Sequence, residues 1–138
     1  MLNIFKPILA GATLPDRLIA SLGAAIAIAL TIVVCAGLPL SAMDLPIIVA
    51  PLGASAVLVF AVPSSPLAQP WAVVGGNTIS TLIGVWAFNL FPDITLAAGV
   101  AVGGAILVMS LLRCLHPPGG AAALTAVIGS QGIHAAGY

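Results

Sequence analysis

Charge is what this chain most lacks. Three basic and three acidic residues occur among its 138, and no glutamate. Charged residues make up 4%, against roughly a quarter in soluble domains. A basic surface for nucleic acid is therefore excluded, because phosphate neutralisation needs clustered lysine and arginine. Paired carboxylates, a Ser/His/Asp-like set and a metal-binding cluster are missing too, which argues against an enzyme and against a cofactor or metal. Aromatic residues are only 5%, and cysteine occurs twice, at Cys35 and Cys114, far apart in apolar surroundings. A structural disulfide is not expected from that spacing; both read as small buried apolar residues.

What remains is apolar. Hydrophobic residues reach 62%, and the mean hydropathy is +1.29. At about 20 residues per crossing, such a chain holds about five membrane spans. The apolar runs place them near Leu18–Leu38, Leu45–Val62, Trp71–Phe91, Ile94–Leu112 and Pro117–Ser130. The first is too long for a signal-peptide core and reads as a retained helix. Residues 1–17 read as a cytoplasmic or interfacial lead, and 18–138 as one transmembrane domain. Pro39 to Asp44, Pro92-Asp93 and Gly132–Tyr138 read as turns and a tail. Trp71, Trp86, Phe91 and Tyr138 suit interfacial anchors. The fold class expected is an all-α membrane protein, a polytopic helical bundle with two interrupted helices.

Orientation follows from the few cations. Lys6 and Arg17 precede the first span, which puts the N-terminus in the cytoplasm. Counting spans places Arg113 on the same side, with Asp44 and Asp93 opposite. A multi-pass protein of the inner (plasma) membrane is expected, in contact with the lipid bilayer. Gly99 and Gly103 form a small-xxx-small pattern that suits helix packing, including packing between copies in a homo-oligomer.

The densest signal is His116-Pro117-Pro118-Gly119-Gly120. Two prolines end the preceding helix. Two glycines allow close approach to the backbone. The Ala-Leu run that follows restarts a helix, whose first N–H groups lack partners within it. With Arg113 just before, this reads as an anion or polar-solute site. His116 could bind through a ring N–H or respond to protonation, or be a helix-end histidine bonded to a carbonyl. Arg113 could be an interface anchor instead.

The stretch has an echo. Ala50-Pro51-Leu52-Gly53-Ala54-Ser55-Ala56-Val57-Leu58 matches it at Pro51/Pro117, Gly53/Gly119, Ala56/Ala122 and Leu58/Leu124. If the echo is a repeat, one span separates equivalent halves, and the halves face opposite ways. Two half-helix starts, near Gly53–Ser55 and Gly119–Ala121, would then converge within the bilayer. A complete repeat expects a sixth span beyond Tyr138. Ser55 is the substrate candidate beside the first start. Asn77, Ser80, Thr81 and Gly84 share one face of the third span, where Asn77 could line a polar path or bond between helices. The candidate binding set is thus Pro51, Gly53, Ala54, Ser55, Asn77, Arg113, His116, Pro117, Pro118, Gly119 and Gly120.

Three stretches carry a family resemblance: His116–Leu124, Pro51–Leu58 and Pro63-Ser64-Ser65-Pro66-Leu67-Ala68-Gln69-Pro70. Together they resemble the HPP family of integral membrane proteins, across about Pro15 to Tyr138. The resemblance implies a multi-span bundle and, from members in photosynthetic lineages, a link to nitrite transport. It also implies a last span that this sequence does not show. The leading expectation is a carrier or channel for a small monovalent anion, nitrite above others. The alternative is a non-transporting membrane scaffold or sensor subunit.

Overall fold

The computed structural model describes residues 12–37 and 45–135. Expectations for the first eleven residues, including Lys6, for the Pro39–Asp44 turn and for Tyr138 fall outside the described residues.

Every described element is helical. α1 spans Leu14–Ala36, α2 Leu45–Ala61, α3 Pro70–Leu90, α4 Ile94–Leu111, α5 Pro117–Ile128 and α6 Gln131–Ala135, with a 3-10 turn at Pro66–Ala68 between α2 and α3. The all-α membrane bundle expected from composition is the architecture found. α1, α3 and α4 are long and apolar enough to cross a membrane, whereas α2 and α5 are shorter apolar helices. α5, with 12 residues, is only about 18 Å long and cannot cross a core of about 30 Å.

Local chemistry sets the helix ends. α1 begins four residues before its apolar run, because Thr13 and Asp16 form a reciprocal capping box with Pro15 in the first turn. The lead expected over residues 1–17 therefore ends in helix. Asp93 caps α4 by accepting from the Leu96 N–H at 2.8 Å. α4 ends with the Cys114 N–H donating to the Met109 carbonyl at 2.9 Å and the Arg113 N–H to Ser110 at 3.3 Å. That is a Schellman motif, with Arg113 at φ 55° where glycine is usual. Of the tail expected over Gly132–Tyr138, residues 132–135 lie in α6. Ile133 is fully buried there, and His134 stacks on Phe88 at 3.9 Å between centroids.

α2 differs from expectation. Pro51 lies inside one continuous helix, so the half-helix start expected near Gly53–Ser55 is not formed. Proline removes one i→i−4 bond but leaves its own carbonyl to accept. The rest of the turn closes around the missing bond.

Packing divides the molecule. α5 lies against α3 and α4 and more lightly against α2, while α1 packs on α2. The inner faces are built of small residues: Ala97, Ala101 and Ala105 of α4, Ala87 of α3 and Ala123 of α5 are fully buried. Without long side chains, backbones come close. A Cβ on Gly84 would lie 2.4 Å from the Ala123 carbonyl oxygen. The α1–α2 hairpin thus leans on a tight α3–α4–α5 core. Gly99 and Gly103 take no part in that core; nothing lies within 4 Å of a Cβ placed on either.

Candidate functional site: a buried histidine where hairpin, loop and core meet

The chain re-enters the bundle between α4 and α5. Trp71, second residue of α3, donates its indole N–H to the Leu112 carbonyl at 3.1 Å. That ties the end of α4 to the start of α3. The next residues turn inward, and a Cβ on Gly76 would meet the Cβ of His116 at 2.6 Å. Gly76 is six residues into α3, so α5 begins roughly 9 Å below the end of its neighbour. Only glycine at 76 leaves room for the histidine.

His116 is 0% exposed, and both ring nitrogens are engaged. Nδ1 lies 2.7 Å from the Leu67 carbonyl oxygen in the 3-10 turn. Nε2 lies 2.8 Å from the Ser55 hydroxyl of α2. A carbonyl only accepts, so Nδ1 carries the proton in this arrangement. In the neutral ring Nε2 then accepts from the Ser55 hydroxyl. Asn77 of α3 donates Nδ2–H groups to Ser55 Oγ at 3.3 Å and to the Val73 carbonyl at 2.9 Å. Its Oδ1 is buried and has no hydrogen-bond partner among the described residues.

The loop is shaped to present Leu67. Ser65 caps the 3-10 turn by accepting from the Leu67 N–H at 3.2 Å. Gln69 donates to the carbonyls of Pro63 at 3.2 Å and Ser65 at 3.1 Å. Serine caps and proline-fixed φ angles hold the segment without a regular helix. The three stretches that carry the sequence resemblance therefore converge on one imidazole.

Beside this node lies a cleft of about 310 Å³ between α2, α3 and α5. Pro51 and Asn77 line it together with Thr81 and Thr125. Thr81 turns its hydroxyl back to the Asn77 carbonyl at 2.9 Å, so it serves its own helix.

The other candidates fall elsewhere. Pro118 and Gly119 are buried at the node, Gly120 is half-buried, and Pro117 and Arg113 are exposed. Gly53 is half-buried and Ala54 exposed, away from His116. The start of α5 offers fewer donors than expected. Pro117 and Pro118 have no N–H, and Gly119 donates to the His116 carbonyl at 2.8 Å. Gly119 is a packing residue: a Cβ there would lie 2.7 Å from Ser80 Oγ and 2.9 Å from the Gly76 carbonyl oxygen. Leu67 and Gly76 were not evident as site residues. A main-chain acceptor leaves no mark in side-chain chemistry, and one glycine among 15 carries no signal by itself.

These features define a helical membrane protein built around a buried histidine at an inset half-helix. The profile of the HPP transmembrane region matches residues 10–138, and the chain belongs to that family. It is similar to two transmembrane proteins of Dictyostelium discoideum. One is 37% identical over 89 residues, covering 62% of this chain and 31% of that protein. The other is 40% identical over 82 residues, covering 56% of this chain and 26% of that protein. The chain thus spans less than a third of either relative. No solved structure matches it.

Proposed function

We propose that the protein is a carrier or channel for a small monovalent anion, with nitrite the first candidate from the family resemblance. The observation behind this reading is the setting of His116. It is fully buried at the joint between a hairpin and a core, about 9 Å below a helix end, at the positive end of α5. No carboxylate neighbours it among the described residues. Arg17 and Arg113 lie at the same end of the bundle by helix connectivity, with Asp16 beside Arg17, so that end carries one net positive charge among the described residues, which favours anion entry. Lack of a fixed charge in the cleft among the described residues suits a weakly held monovalent ion, since conduction needs binding that is favourable but loose.

The candidate site shifts from the one expected. Two converging half-helix starts do not serve it, because α2 is continuous and the first donors of α5 are absent or used. The cleft between α2, α3 and α5 is the better candidate, lined by Asn77, which bonds to Ser55, the partner of His116. Positive residues at one end favour that end in the cytoplasm, in a plasma membrane. The exposed Gly99/Gly103 face of α4 suits assembly into a homo-oligomer.

The test is nitrite uptake into proteoliposomes, with chloride, nitrate and formate alongside. Saturable nitrite uptake is expected, lost in His116→Ala. Absence of flux for every anion, from protein shown to be folded and inserted, would sink the carrier reading and leave a membrane scaffold or sensor subunit.

A further inference from the structure

The hydrogen bonds at His116 can be completed in two ways without moving a heavy atom. In the first, His116 Nδ1–H donates to Leu67 and the Ser55 hydroxyl donates to Nε2. In the second, Nε2 carries an added proton and donates to Ser55 Oγ. The Ser55 hydroxyl then turns to the Pro51 carbonyl, 3.2 Å away in the same helix. Serine has one donor and two acceptor positions, so Oγ still receives the Asn77 amide. Asn77 cannot invert, because its Nδ2 faces the Val73 carbonyl and an oxygen there would oppose another acceptor. Every bond of the node is thus kept when a proton arrives.

Among the described residues no carboxylate faces the added charge. Facing His116 are Ser55 and Pro51 of α2, Leu67 of the 3-10 turn, Gly76 and Asn77 of α3, and the Cys114–Gly119 turn. Among these the Cys114 thiol is the sole other titratable group, and none is a carboxylate. Asp16 and Asp93 sit at helix starts. The adjoining cleft shares Pro51 and Asn77 with the node and is otherwise lined by apolar residues and by Thr78, Thr81 and Thr125; an anion held there by threonine hydroxyls would supply the missing charge. Each ligand then favours the other by reciprocal linkage.

We propose that His116 Nε2 is a proton-binding site, and that proton and anion bind and cross together as an electroneutral pair. The proton is taken from water on one side and returned to water on the other, with the ring neutral between cycles. This rests on the anion reading above.

The experiment measures nitrite uptake and internal pH together in proteoliposomes holding the whole chain, with a potassium diffusion potential imposed by valinomycin. Protein-free vesicles correct for nitrous acid diffusion. Proton and nitrite are expected to enter in a one-to-one ratio. An inward proton gradient should accelerate uptake several-fold, and the imposed potential should leave it unchanged. His116→Gln, which keeps a donor and an acceptor but binds no proton, should lose the proton co-entry. Saturable uptake that follows the potential without proton entry overturns this proposal and leaves the anion reading standing. Co-entry retained in His116→Gln overturns the assignment to His116. No saturable uptake of any anion overturns both readings.

Discussion

Ser55 and His116, 61 positions apart in sequence, meet at 2.8 Å between Oγ and Nε2. This contact joins the α1–α2 hairpin to the inset start of α5. The Nδ1 bond to Leu67 joins the same ring to the loop above. One imidazole therefore hydrogen-bonds α2 and the loop at the point where α5 begins.

Ser55→Ala should expose that dependence. It leaves the buried Nε2 and one Asn77 N–H without their partner, at about 1–3 kcal/mol. Thermal unfolding in detergent checks this. Ser55→Thr, which keeps the hydroxyl, should cost less than Ser55→Ala; equal losses would count against the hydrogen bond as the cause.

Gly76→Ala and Gly84→Ala should be among the most damaging small substitutions. Each added Cβ meets backbone, the Cys114 carbonyl oxygen at 2.8 Å and the Ala123 carbonyl oxygen at 2.4 Å. Overpacking of this kind costs about 1–3 kcal/mol or more. Gly103→Ala, with open space around it, should leave the melting temperature unchanged or raise it slightly. The three variants compared in one detergent make the test.

Arg113→Gly should stabilise the fold. Arg113 holds φ 55° in the α4 end motif, where a residue with a Cβ pays about 1 kcal/mol relative to glycine. A higher melting temperature is the expected result. If uptake falls while stability rises, Arg113 is retained for its charge at the mouth of the bundle.

Topology can be read by labelling. In a background with Cys35 and Cys114 replaced by alanine, Ser64→Cys and Arg113→Cys should react with an impermeant thiol reagent from the same side. Asp93→Cys should react from the other. Reaction of Ser64→Cys and Asp93→Cys from one side would contradict the antiparallel order of α2, α3 and α4.

Much of the fold could be read directly. Apolar runs of the right length placed α2, α3 and α4 to within about two residues, because burial in lipid demands continuous apolar helix and proline marks its ends. Thr13 and Asp16 were harder: their capping box lengthens α1 into a stretch whose charges suggested a surface lead. Pro51 misled in the opposite direction. A proline with a glycine two residues on reads as a break, yet tertiary support carries α2 through it, since only one helix bond is lost.

The sequence alone determined that this chain lives in a membrane, that it is helical, and that His116 marks a stop and restart. Those follow from composition and from proline stereochemistry, which act locally. The tertiary structure decided which groups the histidine meets. Ser55 and Asn77 sit on helices whose faces are selected by close glycine and alanine packing, and Leu67 contributes only a carbonyl that every residue possesses. Such partners are fixed by how helices cross in space, and no local pattern encodes that crossing.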